Sequence, residues 1–182
     1  NNMNKKVKSL VFLLFGFLVS LPLLADNVKL IDFPQDDLPK YGKDSVDCVQ
    51  NLSLYRESYK QWKQSKYKSP AVKHAYRFWR KTFTDCPKAS ENIYVDGAKM
   101  MEFFIKNAKD EKRKEGLIDS LMMVYDTRIK YFPNHYKTGQ SQVGKILGYK
   151  GVDLYQNRPS AYKEAFEILS ESIELDGAKA KG

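Results

Sequence analysis

The chain has 182 residues, 42% of them hydrophobic and 29% charged, with a formal net charge of +9. That length allows one folding unit or a short repeat array with a real core, and excludes two large lobes. Two cysteines without CxxC spacing exclude a dithiol redox motif, and two distant histidines, His74 and His135, exclude a histidine metal centre.

Asn1 and Asn2 precede the first methionine, Met3, after which Lys5, Lys6 and Lys8 run into an apolar stretch from Leu10 to Ala25. A cationic head before a short apolar segment is the pattern of a secretion signal, and Leu23-Leu24-Ala25 offers a cleavage site before Asp26. The alternative is an uncleaved anchor, because the run falls just short of the ~20 residues that a spanning helix needs. Residues 1–25 are therefore expected to be a signal peptide, and the processed protein to be soluble in a periplasm or secreted. Loss of three lysines leaves a net charge of +6. Residues 26–45 are acidic and interrupted by Pro34, Pro39 and Gly42, which predicts an extended leader packing partly on the first helices.

From Val46 onward the apolar spacing is helical, with no alternating β-branched runs, so an all-α chain is expected. The first helix is predicted from Val46 to about Ser65, with Leu52, Tyr55, Tyr59 and Trp62 at steps of three and four, and the second from about Pro70 to Phe83. Pro87 marks the stop. A third fits Glu91 to Asn107, and a fourth starts after the potential cap Asp110 and ends before Pro133. A fifth covers about Gln140 to Gln156, and a sixth about Pro159 to Leu175, closed by Gly177. The result is three antiparallel hairpins, 46–87, 88–133 and 134–177, whose terminators lie 46 and 44 residues apart. Such a period is the signature of an α-solenoid, and "GAKAKG" at 177–182 reads as the start of a further segment.

"AYKEAFEILSESIELDG" in the third hairpin resembles the second helix of a tetratricopeptide repeat, with Tyr162, small Ala165, Leu169, small Ser172 and an "IELD" end. Ala75, Trp79, Thr82 and Pro87 fall at the same relative spacings in the first hairpin. In the second, Tyr125 and Pro133 do, with Leu121 in place of the small residue. Small residues suit positions where paired helices cross closely, and large ones fill the gap to the next unit. The likeness covers about Val46 to Gly177. It departs from the family in Gly177, which replaces a proline, in the first helix of each pair, and in repeat length, which would also suit HEAT-type repeats. The resemblance implies a concave surface lined by the first helix of each hairpin, holding a peptide or a partner's helix; Tyr59, Trp62, Lys63 and Lys99 are the lining residues it points to.

Several stretches suggest chemistry. "TGQSQVGKILG" (Thr138 to Gly148) spells most of a P-loop, but no strand precedes it and Ile146 stands where Ser or Thr would hold magnesium, so no nucleotide is expected. Gly144, Gly148 and Gly151 instead recur at helical steps and predict close approach of a neighbouring helix. Nine basic residues between Arg56 and Lys81 face one acid, Glu57, and interleave with aromatics. In a cytosolic protein that would suggest nucleic acid; here export argues against it, and the aromatics read as the core stripe of two helices with the lysines on their wet face. Cys48 opens the first helix and Cys86 follows the second, so an exported hairpin would bring them together as a disulfide; two buried free thiols are the alternative. No catalytic triad, carboxylate pair or HExxH is legible, and no cofactor is implied.

The sequence thus predicts a non-catalytic scaffold or adaptor of the cell envelope that binds another envelope protein or peptide. Two rivals remain: binding of an anionic glycan or lipid head group through residues 56–81, and a role as the helical superstructure of a larger enzyme.

Overall fold

A computed structural model of the chain describes residues 38–177. The expected signal peptide and most of the expected leader lie outside these residues. Six α-helices account for most of what is described: α1 (Ser45–Gln64), α2 (Ala71–Asp85), α3 (Asn92–Lys106), α4 (Glu111–Tyr131), α5 (Val143–Asn157) and α6 (Tyr162–Asp176), the last preceded by a 3-10 turn over Pro159–Ala161. Among the described residues there is no strand, and one isolated bridge pairs Asn134 with Ser141.

The helices pack as three pairs, α1 with α2, α3 with α4 and α5 with α6, and α2 on α3 and α4 on α5 join them in sequence. This is the all-α array of helical hairpins expected from the apolar period. Two starts are capped as their residues dictate. Asp44 accepts from the Asp47 amide at 3.0 Å, and Asp110 from the Arg113 amide at 2.7 Å, each satisfying a donor that the first turn leaves open. The turn between α1 and α2 places Lys66 and Tyr67 at positive φ, a conformation unfavourable for side chains of their size. Burial offsets that strain, because the Tyr67 ring lands edge-on against Trp62, 4.9 Å between centroids.

Two expected boundaries shift. Helix α5 begins at Val143, later than Gln140, because residues 133–142 close on themselves: His135 donates to the Gln140 carbonyl and Gln142 to that of Pro133. At the other end of that hairpin, Pro159 starts a 3-10 turn and α6 proper starts at Tyr162.

An aromatic seam forms the core of the first two hairpins. Tyr76 stacks on Trp79, Trp79 meets Phe83, Phe83 meets Tyr94, and Tyr94 meets Phe132, with successive centroids 5.0 to 5.7 Å apart. The indole of Trp79 donates to the Ile93 carbonyl at 2.6 Å, and the Tyr94 hydroxyl to that of Pro87 at 2.8 Å, so the buried polar ends are satisfied. Gly97 makes this seam possible, since a Cβ there would lie 2.6 Å from the Trp79 ring.

In the third hairpin, a Cβ on Gly151 would meet Leu169 at 2.6 Å and one on Gly144 would meet Asp176 at 2.6 Å. Helix α6 therefore lies close along α5, as the glycine spacing predicts, and the buried Ser172 hydroxyl donates to the Gly144 carbonyl at 2.7 Å.

Cys48 and Cys86 form a disulfide, with Cα atoms 6.1 Å apart, which ties the start of α1 to the end of α2. Beside it the described part of the leader turns back at Gly42, which is buried and donates to the Pro39 carbonyl. A side chain at Gly42 would strike the Asp85 carbonyl at 2.1 Å.

Candidate functional site

Helices α1, α3 and α5, the first of each hairpin, converge on one groove of about 550 Å³ to which α4 also contributes. Tyr59 and Lys63 reach it from α1, Asp96, Lys99 and Glu102 from α3, and Lys145 and Tyr149 from α5. Tyr125 and Arg128 enter from α4, and Tyr67 closes one end.

Three of the four residues pointed to as lining, Tyr59, Lys63 and Lys99, stand in this groove. Trp62 does not and is a correction: it is 1% exposed and lies in the core, edge-on to Tyr59, Tyr67 and Phe103. It shares a helical stripe with Tyr59, but Tyr67 and Phe103 fold over it and take it out of reach of any partner.

Two carboxylates, Asp96 in the groove and Asp153 in the neighbouring depression, are set against tyrosines. Tyr55 donates to Asp96 at 3.2 Å, with the Tyr59 hydroxyl beside them, and Tyr125 donates to Asp153 at 2.5 Å. Burial pushes the Asp96 carboxyl up to about 6, even though Tyr55, Tyr59, Arg56 and Lys63 all favour its charge. Burial likewise raises Asp153, with Glu102 adding to the rise. Tyr55, Tyr59 and Tyr125 move up as well, first through burial and then through the adjacent carboxylate. A tyrosine held this firmly to its proton is a hydrogen-bond donor and a poor nucleophile or base.

The cations of the groove differ in their commitments. Arg128 pairs with Glu91 at 2.9 Å, and Lys99 with Glu102 at 2.8 Å, a contact that raises the Lys99 ammonium. Lys63 and Lys145 have no carboxylate of the described residues within ion-pair distance. The sequence points to Lys145 only as the lysine of a P-loop spelling; it stands in the first turn of α5, after a loop, with Ile146 buried behind it.

Sequence reasoning misses Asp96, Glu102, Tyr125, Arg128, Lys145 and Tyr149 in the groove, and Asp153 beside it. The available signal is a single acid among apolar residues of a helix, as in "YVDGA" and "GVDLY".

The basic run from Arg56 to Lys81 does not form one surface. Arg56 donates to Ser90 at 2.9 Å and Lys63 points to the groove, whereas Arg77, Arg80 and Lys81 surround Tyr76 in a separate depression along α2. Of the interleaved aromatics, Tyr55, Trp62, Trp79 and Phe83 are buried in the core, and Tyr59, Tyr67, Tyr76 and Phe78 pack against it partly exposed. Among the described residues no group of histidine, cysteine and carboxylate side chains is placed to hold a metal, and no helix is long and apolar enough to cross a membrane.

Comparison of the chain with protein families, with curated proteins and with solved structures finds no match.

Proposed function

From these observations we propose that the chain is an exported, non-catalytic scaffold or adaptor of TPR-like build, which holds an extended peptide or a helix of another envelope protein in the groove. The observation that carries this reading is the convergence of α1, α3 and α5 on a single concavity lined by tyrosine rings and long cations. Such a lining supplies ring faces, hydroxyl donors and charge along a channel, which suits an extended chain with side chains at intervals.

Two further observations support the assignment. Ala75, Thr82, Ala165 and Ser172, the small positions of the resemblance, are all buried, as close crossing of paired helices requires. The Cys48–Cys86 disulfide suits an oxidising compartment and so supports export. A second reading, anchorage to an anionic glycan or lipid head group, draws support from Arg77, Arg80 and Lys81 around Tyr76.

Site-specific photo-crosslinking in the native cell separates the two. A photoreactive residue is placed at Lys99 in the groove or at Arg77 on α2 of the full-length protein. A discrete protein adduct from position 99 and none from 77 is the expected result. No protein adduct at 99, together with lipid or glycan adducts at 77, would overturn the scaffold reading.

A further inference from the structure

We propose that the segment received in this groove is acidic, with carboxylates seated on Lys63 of α1 and Lys145 of α5 and apolar side chains between them against the tyrosine rings. This rests on the peptide-binding reading above and adds the partner's chemistry to it.

Four cations line the groove, Lys63, Lys99, Arg128 and Lys145, against the carboxylates Asp96 and Glu102. Glu102 is taken by Lys99, Arg128 is taken by Glu91 outside the groove lining, and Asp96 turns to the Tyr55 hydroxyl. Lys63, whose charge acts on Asp96 without an ion pair, and Lys145 are the cations left without an ion-pair partner among the described residues, and they sit on two different hairpins, the first and the third.

An anionic side chain at either lysine gains a charge-assisted hydrogen bond without first breaking an internal pair. A cationic segment would meet like charge at both places and would have to displace Lys99 from Glu102. The net charge of +6 expected for the processed chain further favours approach of an acidic partner. Tyr59, Tyr67 and Tyr149 line the same groove and offer apolar surface, so a purely ionic ligand would leave part of the lining unused.

The test is fluorescence anisotropy with the intact, oxidised chain and three labelled twelve-residue peptides that share the same aromatic and aliphatic positions. Their remaining positions are glutamate, glutamine or lysine. The glutamate peptide is expected to bind tightest, with affinity falling as salt rises. Lys63→Gln and Lys145→Gln are each expected to weaken it about three- to tenfold, while Lys163→Gln, on the exposed surface of α6, leaves it unchanged.

Equal binding of the glutamine peptide, or indifference to both groove substitutions, would overturn the acidic assignment while leaving a peptide groove in place. Binding of none of the peptides, with capture by phosphatidylglycerol vesicles lost on Arg77→Gln and Arg80→Gln, would overturn the groove reading itself.

Discussion

Replacing Asp96 by asparagine should stabilise the protein, and the gain should depend on pH in a defined direction. The Asp96 carboxyl releases its proton near 6 in the fold, against 3.8 for the ordinary group, because burial disfavours its charge. At pH 7.5 the folded state therefore carries a carboxylate that it holds less well than the unfolded chain does. Each factor of ten corresponds to 1.36 kcal/mol, so the ceiling of this penalty is about 3 kcal/mol. The side chain lines an open groove and retains some water, which brings the expected gain for Asp96→Asn to about 1–2 kcal/mol. An amide oxygen can still accept from Tyr55. For a chain of this size that corresponds to a rise of about 2–8 °C in Tm.

The direction follows from proton binding. Between about pH 4 and 6 the folded state holds this proton more firmly than the unfolded state, so the site's contribution to stability falls as pH rises through that window and levels off above it. The difference between variant and wild type should be near zero below pH 4 and full by pH 7.5. Paired calorimetric melts at the two pH values measure it. A gain of the same size at both would refute the reasoning by showing that ionisation is not its source, and a loss at pH 7.5 would mean that Arg56 and Lys63 outweigh burial at this carboxylate.

Four other variants probe the frame. Removing the disulfide by Cys48→Ser with Cys86→Ser should cost about 4 kcal/mol by loop entropy for a separation of 38 residues; urea unfolding measures it, and a loss under 1 kcal/mol would contradict the estimate. Gly97→Ala should destabilise by about 1–3 kcal/mol by driving a methyl group into the Trp79 ring, with a change in tryptophan fluorescence. Gly116→Ala on α4, where a Cβ meets nothing within 4 Å, should instead stabilise by up to about 1 kcal/mol. Arg158 bonds Glu115 and Asp119, both at 2.6 Å, and so anchors the α5–α6 link to α4. Arg158→Ala should raise hydrogen exchange in the 159–161 turn before it lowers global stability.

The helices were legible because each buries one stripe of side chains, and period survives in sequence. Tyr55 and Trp62 are buried while Tyr59, midway along the same stripe, reaches the groove. Spacing alone separates core from solvent, not core from groove, because the groove is the edge of the core. Trp62 was assigned to the wrong side of that edge for this reason. Lys63 and Lys99 were found because long cations on first helices have few other places to go. Asp96 and Asp153 stayed hidden because their meaning lies in hydroxyls 41 and 28 residues away, which no local pattern reports. The late start of α5 depended on hydrogen bonds closing residues 133–142, and those too join positions whose residue types alone do not announce a pair.

The disulfide bears on how the molecule comes apart. In a linear stack each hairpin leans on its neighbours, and local opening is governed by what holds each unit. The first and third hairpins are not equal. Helices α1 and α2 are covalently laced at one end, whereas α5 and α6 rely on packing, and α6 leaves Phe166 71% and Ile173 53% exposed. Of the two, the α5–α6 hairpin should therefore open more readily than the laced α1–α2 hairpin. The groove would lose its Lys145 wall first, while its Lys63 wall remained standing on the laced hairpin.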